Sequence, residues 1–148
     1  MPDLSLDDRI ALLDLISAYS HTWDTRDAAG WVGLFRDDAV LQAVFRGTVA
    51  WTYASNRERT EFITGFYAGA DTAGILQSRH FQTNTLFRAE RDGSVRADTM
   101  FAVVFQHRAE PAPRYRNTGI YRDHFVKTAG GWKFARRDIL VDQDLPAA

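Results

Sequence analysis

Apolar residues recur at helical spacing near the start of the chain, where they predict one apolar face of an α-helix. Ser5 precedes this pattern and Asp8 follows three residues later, which is the arrangement of a helix N-cap with an acid in the first turn. The pattern is interrupted between Asp24 and Asp27, so the helix is expected to end there. The apolar positions are Leu12, Ile16, Tyr19 and Trp23.

The pattern then changes from helical to extended. Residues 28–35, AAGWVGLF, predict a short second helix that ends at a turn formed by Asp37 and Asp38. Residues 39–54 are apolar, β-branched and aromatic, and they predict a bent strand or a short hairpin around Gly47.

A second capping box, Ser55 to Glu58, predicts a helix that continues to about Tyr67. From there to the end of the sequence, extended segments alternate with turn signals such as RDGS and TAGG, and the prolines of EPAP separate two of them. The predicted strands are residues 77–90, 95–107, 114–127 and 132–141.

This order of elements, with helices first and long antiparallel strands afterwards, predicts an α+β fold. The helices are expected to lie on one side of a strongly curved, mostly antiparallel sheet and to leave a ligand pocket at its open end. No linker, repeat or low-complexity run divides the sequence, so residues 1–148 are interpreted as a single domain.

Composition narrows the possible functions. The net charge of −1 gives no reason to expect nucleic acid as a partner, and the absence of cysteine excludes disulfides and thiol nucleophiles. The first residues are acidic where a signal peptide would be basic, and no apolar run is long enough to cross a membrane. We therefore expect a cytoplasmic protein that does not bind membranes.

One histidine stands out, His80 in the strand segment QSRHFQTNT. Strict alternation would place Gln82 and Asn84 on the same face as His80, so an imidazole flanked by two amides would line the interior if that face points inward. Histidine is suited to proton transfer near neutral pH because its ordinary pKa is about 6.5. The alternative is a packed, hydrogen-bonded histidine beside Arg79.

Other chemistries lack their usual patterns. The four histidines are far apart in the sequence, and none stands in a metal-ligand spacing such as H-x-H or H-E-x-x-H. The sequence contains neither a glycine-rich phosphate loop nor a G-x-S-x-G nucleophile motif. We therefore expect neither a metal nor another cofactor.

Three segments of the sequence match a known family: YSHTWDTRDAAGWVGLFRDDAV, SRHFQTN and GIYRDHFVKTAGGWKFARRDILVD. On these segments, the sequence resembles the SnoaL-like group of the nuclear-transport-factor-2-like superfamily over nearly its whole length. The resemblance implies a cone-shaped α+β barrel around a deep cavity, a homodimer formed through the sheet, and a small apolar or aromatic substrate. It also implies an activity such as polyketide cyclisation, dehydration or isomerisation.

The resemblance also implies a set of catalytic residues. His80 matches the strand that holds the catalytic histidine of the family's lyases, and Asp24 in WDTRD matches the carboxylate that orients this histidine. Tyr19 stands five residues before Asp24, as in the bile-acid dehydratase, and would polarise a substrate carbonyl. Five helical residues rotate the chain by about 140°, so Tyr19 and Asp24 can share a face only if the helix bends or ends between them. As alternatives, Asp24 is a helix-terminal acid and Tyr19 a core residue.

Further residues are expected to bind substrate. Scytalone dehydratase has a second histidine near the position of Phe105, and here His107 lies two residues further along the same face. The positions of two other polar residues of that enzyme fall near Gly119 and Tyr121, so scytalone itself is not the expected substrate. The full set expected to bind substrate is Trp23, Asn84, Phe105, His107 and Tyr121.

Residues 130–143, GGWKFARRDILVDQ, also resemble the β subunit of Rieske ring-hydroxylating dioxygenases. That resemblance implies a mainly structural partner of an oxygenase, with iron in the partner chain. A third possibility is a module that binds a hydrophobic ligand without transforming it. The leading hypothesis is a cofactor-free lyase, cyclase or isomerase acting on an aromatic or polyketide-like carbonyl compound.

Overall fold

The computed structural model describes residues 3–146 and contains three helices and six strands in this range. The helices are α1 (Leu6–Asp24), α2 (Ala28–Val32) and α3 (Asn56–Thr72). The strands are β1 (Phe35–Phe45), β2 (Thr48–Tyr53), β3 (Ile75–Ala89), β4 (Val95–His107), β5 (Arg114–Thr128) and β6 (Gly131–Val141).

Both predicted serine N-caps are present. The Ser5 hydroxyl accepts a hydrogen bond from the Asp8 amide at 3.1 Å, and the Ser55 hydroxyl accepts one from the Glu58 amide at 3.2 Å. Glu58 in turn accepts a hydrogen bond at 2.7 Å from the amide of Ala54, the residue before the N-cap. These caps fix where α1 and α3 begin.

The predicted turn at Asp37 and Asp38 is wrong, because both residues lie within β1. β1 begins early because the Phe35 side chain is buried and packs on Phe134 of β6, with ring centroids 5.1 Å apart. The fully buried guanidinium of Arg59 on α3 holds this start of the strand by donating to main-chain carbonyl oxygens, among them that of Arg36 at 2.8 Å.

The other boundaries agree more closely. The hairpin around Gly47 is confirmed, with a positive φ of 88° at this glycine, where a side chain would be strained. α3 continues past the expected end at Tyr67 to Thr72. The strand predicted for residues 95–107 is β4, with the same bounds.

The six strands form one sheet in the order β2-β1-β6-β5-β4-β3. Every pair is antiparallel except β1 and β6, which are parallel. The α+β class and the curved, mostly antiparallel sheet are confirmed, but β2 and β3 remain separate edges, so the sheet does not close into a complete barrel.

The buried apolar side chains form a cluster between the helices and the inner face of the sheet. α1 packs on β3 and β6, and α3 packs on β1 and β3. The helices therefore cover the sheet at one side and leave a hollow over the central strands. Within residues 3–146, none of the helices combines the length and the hydropathy needed to cross a membrane.

Candidate active site

The hollow between the helices and the sheet contains a cavity of about 580 Å³. Its wall is mostly apolar and aromatic, and it includes Trp23, Trp51, Phe62, Phe66, Phe101 and Phe105. His80 and Tyr19 also line it. A volume of this size suits a small organic molecule, because ligand pockets typically measure roughly 300–1,000 Å³.

His80 and Asp24 meet at one wall of this cavity. The His80 Nδ1 atom lies 2.7 Å from Asp24 Oδ1, and the His80 main-chain amide donates to Asp24 Oδ2 at 2.8 Å. The two side chains are only 7% and 9% exposed. One carboxylate therefore binds both the ring and the backbone of the same histidine.

The end of α1 brings Asp24 to this position. Asp24 is the last residue of the helix, where main-chain carbonyl groups lose their helical partners. Side chains from neighbouring elements take their place, since the Tyr67 hydroxyl donates to the Trp23 carbonyl at 3.2 Å and the Gln77 amide to the Asp24 carbonyl at 2.9 Å. The helix end is thereby fixed against β3.

Asp24 supports His80 from outside the main cavity. Its carboxylate lines a smaller neighbouring pocket of about 330 Å³ and also accepts a hydrogen bond from the Ser78 hydroxyl at 2.8 Å. Tyr19 points into the main cavity instead, so Tyr19 and Asp24 lie on different sides of the helix. The two side chains therefore need not share a face, because the His80 ring lines the main cavity with Tyr19 and contacts Asp24 through Nδ1.

The contact with Asp24 determines which ring nitrogen of His80 carries a proton. An ionised carboxylate only accepts hydrogen bonds, so Nδ1 is the donor and Nε2 of the neutral ring has a free lone pair. Burial works to raise the pKa of Asp24, but the hydrogen bonds and charge of His80, together with the Ser78 hydroxyl, outweigh it and lower that pKa. Asp24 is therefore ionised at neutral pH.

The lowered pKa of Asp24 predicts a specific dependence of stability on pH. Its ionised form is favoured in the folded protein, so its contribution is fully present above the ordinary pKa of 3.8 and is lost as the pH falls through the lowered value. Asp24→Asn should therefore be less stable than the wild type at neutral pH. In acid, its free energy of unfolding should fall less steeply.

Urea denaturation of both proteins from neutral pH to acid checks this expectation. The matched control is Asp71→Asn, since Asp71 is an exposed carboxylate that forms an ion pair with Arg26. If the free energy of unfolding of Asp24→Asn fell with pH as steeply as that of the wild type, Asp24 would not contribute to the loss of stability in acid.

Two buried tyrosines share the cavity with His80. Burial raises the pKa of Tyr19 to about 12 and that of Tyr121 well above its ordinary value, so both remain neutral phenols. The ring of Tyr19 lies 6.4 Å from that of His80, edge to face. A buried neutral phenol can donate a hydrogen bond to a substrate oxygen without losing its proton.

Trp23 adds a second potential donor. Its ring centroid lies 5.3 Å from that of His80, and its side chain is buried in the cavity wall. Among the described residues, no acceptor binds its indole N–H. A buried donor without a partner costs free energy, and an oxygen atom of a bound ligand would satisfy it.

The predicted substrate-binding residues do not all reach the cavity. Phe105, His107 and Tyr121 line it, together with Trp23. Asn84 was expected on the same face as His80, and this placement is wrong because a bulge interrupts β3 there. Asn84 has a φ of 54°, and the pairing with β4 shifts between Thr83 and Leu86, so the Asn84 side chain is exposed.

The sequence reasoning missed a buried ion pair beneath the two tyrosines. Arg137 and Asp123 are both fully buried and joined by two hydrogen bonds of 2.8 Å. The Arg137 guanidinium lies 4.1 Å from the ring centroids of both Tyr19 and Tyr121, and it also donates to Gln82 at 3.2 Å. The pair therefore supports the part of the cavity wall that Tyr19 and Tyr121 form.

The charges of this pair depend on each other. Burial raises the pKa of Asp123, and the adjacent guanidinium opposes that effect. Burial works to lower the pKa of Arg137, but the Asp123 carboxylate outweighs it and raises the pKa. The sequence signal that could have revealed Asp123 is its place between Tyr121 and Phe125 in an alternating strand, where an apolar residue is expected.

The described residues offer no obvious metal centre. Within positions 3–146, no three histidine, aspartate or glutamate side chains come close enough together to hold a metal ion.

Comparisons with known proteins agree with this architecture. The family model of the SnoaL-like domain matches residues 4–138. A comparison with curated protein sequences finds no match. Among solved structures, ActVI-ORFA from Streptomyces coelicolor superposes with a TM-score of 0.80 at 22% identity, covering 93% of this chain and 97% of that one.

Two Novosphingobium aromaticivorans structures are also similar. One is assigned as the beta subunit of an aromatic-ring-hydroxylating dioxygenase, with a TM-score of 0.77, 22% identity, and coverage of 93% of this chain and 90% of that one. The other is an NTF2-like protein with a cystatin-like fold, with a TM-score of 0.77, 21% identity, and coverage of 92% and 82%. At these identities the likeness shows a shared fold.

Proposed function

Because the chain belongs to the SnoaL-like domain family, we propose that it is a cofactor-free enzyme acting on an aromatic or polyketide-like carbonyl compound. The reaction is a proton abstraction next to the carbonyl, followed by isomerisation, cyclisation or loss of water. The observation that carries this proposal is the 2.7 Å contact between His80 and Asp24 at the wall of an apolar cavity.

In this proposal His80 is the general base. Its Nε2 lone pair takes a proton from the carbon next to the carbonyl, and the electrons of the broken C–H bond form an enolate. Asp24 stabilises the imidazolium that results and keeps the ring oriented. A positioned base of this kind typically contributes about 10²–10⁴-fold to the rate.

The enolate oxygen needs hydrogen-bond donors. Tyr19 and Trp23 supply candidates, since both are buried in the cavity wall near the His80 ring. A donor in a water-poor site stabilises developing negative charge more strongly than it would in water. The pKa of about 12 makes Tyr19 a hydrogen-bond donor here rather than a proton source.

The proton on His80 then determines the product. Its return to a different carbon isomerises the substrate, and its transfer to a β-hydroxyl group expels water. Attack of the enolate carbon on a second carbonyl closes a ring, with the proton moving to the new alkoxide. All three outcomes begin with the same C–H cleavage, so one assay of that step tests the proposal.

We expect the protein to catalyse exchange of the protons next to the carbonyl of a bicyclic aryl ketone, such as 1-tetralone, in deuterated buffer. Proton NMR would follow the loss of the α-proton signal, and the rate should exceed that of buffer alone at the same pH. The exchange should persist in the presence of a chelator, because the proposed chemistry uses only side chains of the chain.

Binding must be measured in parallel to interpret the exchange. Quenching of tryptophan fluorescence would report occupancy, since Trp23 and Trp51 line the cavity. The enzymatic proposal would be refuted if aryl ketones bound to the cavity and were released unchanged, without any α-proton exchange. That result would favour a module that only binds its hydrophobic ligand.

A second candidate function is a structural partner of a ring-hydroxylating oxygenase. The likeness to a dioxygenase beta subunit, together with exposed apolar side chains on β3 and β4, favours it. Phe81 is 58% exposed and Met100 is 51% exposed, so this outer face could pack against another chain. Co-purification with a larger iron–sulfur subunit on coexpression would support this alternative over the first.

A further inference from the structure

The mouth of the cavity contains an arginine whose position depends on a β-bulge. Along the pairing of β4 with β5, Val103 lies opposite Asn117 and Val104 lies opposite Tyr115. Arg116 is therefore an extra residue on β5 without a partner on β4. Bulges of this kind redirect side chains and are common beside active sites.

This arrangement places three polar side chains at one end of an apolar cavity. Arg116, Asn117 and His107 all line it, and Arg116 is exposed at the edge. The neighbouring Arg114 forms an ion pair with Glu110 at 3.1 Å, whereas no ion pair of Arg116 is present among the described residues. Within residues 3–146, the positive charge of Arg116 therefore has no carboxylate partner.

The charge is uncompensated within the cavity as a whole. No aspartate or glutamate is among the described residues that line it. The nearby carboxylate of Asp24 faces the smaller pocket and is already bound to His80. A ligand with a negative charge would therefore meet attraction at Arg116 and little repulsion elsewhere.

The sheet register gives the distance between this end and His80. His80 pairs with Val103, and Val103 pairs with Asn117, so the backbones at His80 and Asn117 are two strand spacings apart. Two spacings correspond to about 10 Å. That span accommodates a two-ring aromatic carbonyl compound that carries a substituent at its far end.

We propose that Arg116, assisted by Asn117 and His107, binds a carboxylate at the end of the substrate remote from the reacting carbonyl. The substrate class is then an aromatic keto acid of about two fused rings. A guanidinium matches a carboxylate through two parallel N–H···O hydrogen bonds. The identity of the reacting end of the substrate rests on the proposed function. The identity of the other end rests on the positive charge of Arg116.

The test compares an acid with its neutral ester. The probes are 6-acetyl-2-naphthoic acid and methyl 6-acetyl-2-naphthoate, and isothermal titration calorimetry gives their dissociation constants. We expect the wild type to bind the acid about tenfold more tightly, the size expected for one charge-assisted contact near the surface. Arg116→Gln should remove this preference, because it should weaken binding of the acid about tenfold more than binding of the ester.

The matched control is Arg114→Gln, which removes an equal charge two residues away on the same strand. It should keep the preference for the acid, because Arg114 is paired with Glu110 and does not line the cavity. Arg116→Lys should retain part of the preference, since the charge remains without the planar geometry.

Three results would overturn the assignment. These are equal binding of acid and ester by the wild type, an equal loss of both ligands in Arg116→Gln, and no binding of either probe. Failure of the proposed function is seen separately, because α-proton exchange reports on His80. A preference for the acid that depends on Arg116, in a protein without exchange activity, would leave this binding site in place and refute only the chemistry.

Discussion

His80→Ala is expected to lower the rate of α-proton exchange by about 10²–10⁴-fold, the usual contribution of a positioned general base. The substitution removes the His80 ring and with it Nε2. Among the described residues, His80 is the only histidine of the cavity whose ring contacts a carboxylate. Ligand affinity should change little, because the apolar walls that bind the rings are retained. The measurement is the NMR exchange rate at saturating ketone.

The protein should remain folded, because His80 belongs to a long strand and is paired there with Val103 of β4. Circular dichroism and the urea midpoint would check this. Arg79→Ala is the matched control, since its exposed side chain points away from the cavity on the same strand. Full exchange activity in folded His80→Ala would exclude His80 as the base, and partial rescue by added imidazole would support it.

Asp123→Leu is expected to produce the largest loss of stability, about 3–5 kcal/mol. The change leaves the guanidinium of Arg137 fully buried without its carboxylate, since both side chains are 0% exposed. A loss of this size is a large part of the free energy of unfolding of a typical domain, about 5–15 kcal/mol. Urea denaturation followed by tryptophan fluorescence would measure it.

Two comparisons isolate the role of the buried charge. Asp38→Asn breaks the exposed pair with Arg36 and should cost less than about 1 kcal/mol. The double variant Asp123→Leu with Arg137→Met should be more stable than Asp123→Leu alone, because it removes the unpaired charge as well. Equal stability of Asp123→Leu and Asp38→Asn would show that the pair does not support the fold.

Much of the fold could be predicted from local patterns. Serine caps and helical spacing gave the starts of α1 and α3, and turn residues separated the long strands at nearly the observed positions. The exception is the Asp37–Asp38 segment, where polar residues suggested a turn. There the burial of Phe35 and the hydrogen bonds from Arg59 impose an extended strand, and both are tertiary contacts that local sequence does not display.

The contact between His80 and Asp24 was expected from the family resemblance, and the structure brings the two side chains together. Spacing alone could not have paired them, since they are 56 residues apart. Their catalytic role remains a prediction that the exchange assay tests.

Three irregularities in the sheet explain what the sequence did not reveal. Alternation along a strand predicts the face of a side chain only until an extra residue intervenes. A bulge at Asn84 turns that side chain outward, another re-aims Arg116, and a shift between His124 and Phe125 disturbs the pairing of β5 with β6. Arg137 lies beyond the last of these irregularities along β6. Counting alternate residues from the inward-facing Phe134 therefore places the Arg137 side chain on the wrong face of the sheet.

The two oxygens of Asp24 have separate tasks, and this affects how related sequences can be compared. One oxygen binds the main-chain amide of residue 80 and so holds the end of α1 against β3, and any residue except proline at position 80 can donate this bond. Selection for a folded protein alone can therefore preserve this aspartate in a homologue that lacks the proposed activity. An aligned aspartate alone is weak evidence for activity in a homologue, and the residue that aligns with His80 is the more informative position.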